Sequence, residues 1–176
     1  MKDLPTDVLP VMEPHIKKSI LGLGEQELEQ YCERSGFRPF HGRQVFRWIY
    51  WKFPAGFQDM SDLPQGLRDR LEQNFLLEYL SPSQKRVSKK EDAVKYCFHL
   101  EDGAAIEAVV LFDSNRRISF CVSTQVGCPV GCAYCATGTM GFIRNLKEQE
   151  IISEVASLAK LHRRPDKLVP LIHHLI

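Results

Sequence analysis

A chain of 176 residues with 44% hydrophobic and 26% charged side chains can bury a core, and its length suits one domain with a small second one. With 23 Lys and Arg against 22 Asp and Glu, overall charge neither demands nor excludes nucleic acid, so local runs must carry that argument. Residues 1–14 hold Pro5, Pro10, Pro14 and four charges without an apolar run, which excludes a secretory signal; nothing later is apolar enough to span a membrane, and a cytoplasmic location follows.

The first predicted helix covers 25–34, with Leu28, Tyr31 and Cys32 at helical spacing and Gly36 as its C-terminal stop. A second runs from about His41 to Lys52, with Val45, Phe46 and Ile49 on one face and Trp48 and Trp51 adding bulk, until Phe53-Pro54 ends it. A third, about 64–76, aligns Leu67, Leu71 and Phe75. Together they predict an N-terminal helical accessory domain over 1–80. Its aromatic residues could stack on RNA bases, but an apolar stripe at helical spacing is core far more often.

Residues 81–90 are polar, contain Pro82 and put Lys85, Arg86, Lys89 and Lys90 within six positions, as a linker or the start of an exposed strand does. Such a run is either a solvated loop or a contact for phosphates. From Val94 the period changes to two: Val94, Tyr96, Phe98 and Leu100 alternate with Lys95, Cys97 and His99. Asp102-Gly103 supplies a hairpin turn, Ala105 to Phe112 the partner strand, and Asp113 to Arg116 another turn before Ile118, Phe120 and Val122. The pattern predicts a three-stranded antiparallel meander, its linker and hairpin occupying 81–116.

Next comes Gly127-Cys128-Pro129-Val130-Gly131-Cys132-Ala133-Tyr134-Cys135, with cysteines separated by three residues and then two. Asn145 and Glu148 then resemble a capping box, followed by a helix whose predicted buried stripe is Ile151, Ile152, Val155, Leu158 and Ala159. Lys167 to Leu171 reads as another short strand. The order strand, loop, helix, strand makes the chain α/β, with 117–176 opening a parallel β/α unit. One such unit cannot bury its own strand and helix, so a β/α barrel of which most is lacking is expected.

Half of the six cysteines fall within eight residues, which fits a metal site better than a disulfide framework. Cys32 and Cys97 stand alone and read as buried small apolar side chains. Three thiolates at Cys128, Cys132 and Cys135 are one ligand short of a [4Fe-4S] cluster, leaving an iron open to something other than protein. Structural zinc is the alternative, and its fourth ligand would have to be Cys121 or a histidine. Tyr134, between two of the ligands, either shields the cluster or packs within the loop. Cys121 by itself reads as a core cysteine. Glu107, a lone carboxylate among Ile106, Ala108, Val109 and Val110, is paired, exposed or functional, because an unpaired buried charge is costly.

These residues resemble the radical S-adenosylmethionine enzymes, and within them the RlmN/Cfr family of ribosomal RNA adenine methyltransferases. The cysteine spacing marks the superfamily. Cys121-Val122-Ser123-Thr124-Gln125-Val126-Gly127, Thr137-Gly138 and Gly141 to Leu146 mark the family, and His41 to Tyr50 with 59–71 is similar to its N-terminal helical domain. The resemblance implies a partial TIM barrel and a [4Fe-4S] cluster on Cys128, Cys132 and Cys135, with S-adenosylmethionine chelating the fourth iron. It implies Glu107 as a proton acceptor, a role suited to a carboxyl whose pKa is raised by apolar neighbours, and Cys121 as the thiol resolving a methyl-cysteine relay. It implies carbon 2 of an adenine in 23S ribosomal RNA as target, with carbon 8 as the Cfr-like alternative and tRNA as a second substrate. A reductase would donate electrons, no membrane would take part, and the protein would act as a monomer. In the family the methyl-carrying cysteine lies near the C-terminus, whereas all six here precede residue 136. The chain is therefore expected to be an N-terminal fragment, inactive alone. The rival reading is a non-catalytic metal-binding module that docks RNA through residues 85–90 and the helical domain.

Overall fold

The computed structural model describes residues 17–114, 117–162 and 172–175. Helix α1 (Glu25–Arg34) starts where the Glu27 carboxylate accepts the Gly24 N–H at 2.8 Å, an acidic first turn complementing the positive end of the helix. Helix α2 (Phe40–Arg47) crosses α1 at Gly42, where a Cβ would lie 2.3 Å from the Glu29 nitrogen, so only glycine permits this approach. The helix continues as a π turn, Trp48–Lys52, and stops at Phe53, which takes the left-handed conformation (φ 52°) and donates its N–H to the Trp48 carbonyl at 2.9 Å. Helix α3 (Gln65–Asn74) follows. The expected stripes close on one another: Leu28, Cys32, Val45, Ile49, Leu67 and Leu71 are all at most 1% exposed. Burial pushes the Cys32 thiol up to about 11, with Glu29 adding to it, so this cysteine behaves as core, as expected. Trp51 is exposed, outside that core. A short parallel pair, β1 (Lys18–Ser19) with β2 (Phe75–Leu76), ties the start of the described chain to the end of α3.

The polar run begins as an exposed strand over 82–87 and ends in a turn that holds Lys89 and Lys90. β3 (Pro82–Val87) pairs antiparallel with β4 (Ala93–His99), which pairs with β5 (Ala105–Phe112), then β6 (Ile118–Cys121). The predicted three-stranded meander thus gains a fourth, edge strand, whose charges suit an edge that must not recruit another sheet. Among the described residues, β9 (Ile172–Leu175) completes the sheet by pairing parallel to β6. The strand expected at 167–171 lies outside the described residues. One face of the sheet is packed by Val94, Tyr96, Phe98, Ile106, Ala108, Val110, Ile118 and Phe120, which follows the period-two reading. The other face carries Lys95, Cys97, Glu107, Val109 and Cys121.

Helix α5 (Glu148–Leu161) covers the packed face. Its cap is two residues later than the sequence suggested: Lys147 is the N-cap, and its N–H donates to Glu150 at 2.7 Å. The buried face is rotated too. Ser153, Glu154, Ala156, Ser157, Leu158 and Ala159 are buried, whereas Ile151, Ile152 and Val155 are only half-buried. The physical reason is that α5 lies between two cores, with Ile151 against the sheet and Ile152 against the helical core, so small residues occupy the closest approach. Phe53 and Tyr79 join the same two cores: Phe53 packs into the sheet side, and the Tyr79 hydroxyl donates to the Ile49 carbonyl at 2.8 Å.

Candidate metal and catalytic site

Beyond β6 the chain forms a hairpin absent from the sequence-based expectations, β7 (Gln125–Gly127) paired antiparallel with β8 (Phe142–Asn145). Between these strands lie all three clustered cysteines and one turn of helix, α4 (Ala136–Thr139). Gly127 closes the base. Its φ is +74°, and a Cβ there would fall 1.8 Å from the Gly141 carbonyl oxygen, which accepts the Cys128 N–H at 3.0 Å. The Cys135 N–H donates to the Cys132 carbonyl at 3.1 Å, and the Thr139 N–H to the Cys135 carbonyl at 3.1 Å. The loop is therefore ordered by backbone rather than by side-chain burial. Tyr134 is 94% exposed, Val130 73% and Met140 68%, so Tyr134 does not pack within the loop.

Arg144 anchors this hairpin to the rest of the fold. Its guanidinium binds both Glu150 oxygens at 2.8 Å and Asp102, in the β4–β5 turn, at 2.7 Å. The Arg144 hydrogen bonds hold the Glu150 carboxyl below its ordinary range; Asp102 is also lowered, chiefly by the Ala104 N–H and then by Arg144.

Cys128, Cys132 and Cys135 are half-buried free thiols on one loop. Among the described residues no three His, Cys, Asp or Glu side chains converge on a single ion position. The donor chemistry nonetheless fits the cluster that the cysteine spacing implies: three unpaired thiols, held by a short glycine-clamped loop.

Glu107 and Cys121 share the unpacked sheet face. Cys121 is opposite Val109, and Glu107 lies one pleat along from Val109 on β5. The apolar surroundings expected for Glu107 are not there, because strand alternation turns Ile106, Ala108 and Val110 to the other face. The carboxylate is exposed and pairs with Lys95 Nζ at 2.8 Å. Cys97, expected to be buried, is half-buried directly across from Glu107.

The sequence reading missed Glu154, which is 0% exposed. Its carboxylate accepts the Ser123 N–H at 3.1 and 3.2 Å, while the Ser123 hydroxyl donates to the Glu107 carbonyl at 2.9 Å. Ser123 thus bridges the catalytic candidates on one face and a buried acid behind the other. Burial pushes the Glu154 carboxyl up to about 8, against the lowering effect of the Ser123 N–H. The available signal was the small-residue run Ser153, Ala156 and Ser157, which marks the close-packed side of α5.

This mixed α/β chain, with three clustered cysteines following a sheet strand, is similar in organisation to a radical S-adenosylmethionine methyltransferase. A solved structure with that description, from Sphaerobacter thermophilus, superposes with a TM-score of 0.76 at 32% identity, covering 90% of this chain and 45% of that one. Residues 18–77 match the family model described as the ribosomal RNA large subunit methyltransferase N-terminal domain. Two relatives are each described as a probable dual-specificity RNA methyltransferase RlmN. That from Thermotoga neapolitana is 40% identical, over 81% of this chain and 41% of its own length. That from Lysinibacillus sphaericus is 37% identical, over 93% of this chain and 42% of its own. Over most of its own length the chain is similar to these RlmN proteins, and it spans about two fifths of the length of these curated relatives.

Proposed function

We propose that this chain contributes the cluster loop and part of the reaction face of a cytoplasmic radical S-adenosylmethionine methyltransferase acting on carbon 2 of an adenine in 23S ribosomal RNA. The observation that carries this reading is the placement of three free thiols on a glycine-clamped loop that directly continues the strand bearing Cys121, beside Glu107. Cys128, Cys132 and Cys135 would hold the cluster, which with S-adenosylmethionine supplies one-electron chemistry when bound. Glu107, exposed on the reaction face, would accept a proton from the modified base, and the Cys121 thiolate would attack the sulfur of a methyl-carrying cysteine in a thioether to the RNA, forming a disulfide as that sulfur's bond to the transferred carbon breaks and its electron pair passes to the base. In this reading 1–80 is the accessory domain, 81–116 the sheet extension and 117–176 the opening of the barrel.

Anaerobic reconstitution with iron and sulfide tests it. The expected result is a brown protein with about four irons per chain, lost when Cys128, Cys132 or Cys135 becomes Ala. One tightly held zinc instead would support the non-catalytic RNA-docking module.

A further inference from the structure

We propose that Arg86 and Lys95 form a phosphate-binding pair on the face that carries Glu107 and Cys121, and that the pair takes the sugar-phosphate backbone of the RNA being modified. This rests on the RNA methyltransferase reading and adds to it where the RNA strand crosses the protein. Arg86 and Lys95 are register partners on β3 and β4, so their side chains leave the same face as neighbours. Like charges in that relation repel, and the arrangement is favoured only with an anion between them. The one carboxylate lining this groove is Glu107, already held by Lys95 at 2.8 Å, and the Arg86 side chain has no ion pair or hydrogen bond among the described residues. Gln84 and Cys97 complete a concavity of about 100 Å³ that carries one more positive than negative charge.

The sheet also sorts the basic run. Lys85 pairs with Tyr96 and acts on His162, on the packed side, while Lys89 and Lys90 sit in the turn after β3. Of the four cations in 85–90, alternation puts only Arg86 on the reaction face. Arg86, Lys95, Val109 and Cys121 form one row across the strands. At about 4.8 Å per strand, Lys95 starts roughly 10 Å and Arg86 roughly 14 Å from Cys121, within reach of a nucleotide next to a base held there. A guanidinium fork beside an ammonium suits a phosphodiester.

The test is binding of a labelled single-stranded RNA to this chain, followed by anisotropy over a salt series. Each lost phosphate contact lowers the slope of log affinity against log salt by about 0.7, so the pair Arg86→Gln with Lys95→Gln is expected to lower it by about 1.4. Lys89→Gln with Lys90→Gln removes the same charge from the turn and is expected to leave the slope unchanged. Equal losses from both pairs, no loss from the first, or no RNA binding by the unaltered chain at low salt would each overturn the proposal. Iron loading of the same variants separates the two readings: a slope change with no cluster would sink the enzyme reading and leave the phosphate pair standing.

Discussion

The helical region and the cysteine loop are ordered by different means. The helical region buries most of its apolar residues, with Ile20, Leu28, Val45, Ile49, Met60, Leu67 and Leu71 all fully buried. The loop from Cys128 to Gly141 leaves Val130, Tyr134 and Met140 exposed, and relies on backbone hydrogen bonds and the Gly127–Gly141 clamp. A region that buries its side chains draws its stability from its own core. One that holds them out spends its geometry on presenting thiols.

Substitutions can separate the two regions. The largest effect is expected from Leu67→Ala, which empties a fully buried site in the helical core and should cost about 2–5 kcal/mol in denaturant unfolding while leaving iron uptake intact. A parallel loss of iron would show that the regions are not independent. Gly127→Ala should do the reverse: the left-handed backbone alone costs about 1–2 kcal/mol, and the overlap with Gly141 should dislodge the loop, so iron bound after reconstitution falls to background.

Glu154 lies between the two and is tested by pH. Because its folded pKa is raised from 4.5 to about 8, its contribution is full below about 4.5 and is lost as pH rises to about 8, by up to about 1.4 kcal/mol per pH unit. Glu154→Gln should flatten that slope in urea titrations, and an unchanged slope would remove Glu154 as its source. The smallest effect belongs to Tyr134→Ala, which at 94% exposure should shift stability by less than about 0.5 kcal/mol in a thermal melt. A larger loss would mean that the loop packs against something.

Periodicity made most of the secondary structure legible. The three helices begin and end within a few residues of expectation, and the alternation from Val94 to Phe120 separates the packed sheet face from the open one. What escaped were features without a local pattern. The β7–β8 hairpin has only three or four residues per strand, too few for a period to show. The α5 cap moved from Asn145 to Lys147 because β8 still needs Asn145, which pairs with Gln125 and whose side chain accepts from the Gln125 amide at 2.9 Å. The buried stripe of α5 turned because the helix answers to two cores.

The candidate donors were local and therefore nameable: the cysteine spacing, the flanking glycines and the positions of Glu107 and Cys121 on neighbouring strands are all properties of short stretches. Which charges share a face was not, since Arg86 meets Lys95 and Glu154 meets Ser123 only through strand register and helix packing. Those contacts join residues 9 and 31 positions apart, and no pattern in the chain encodes them until the sheet has formed.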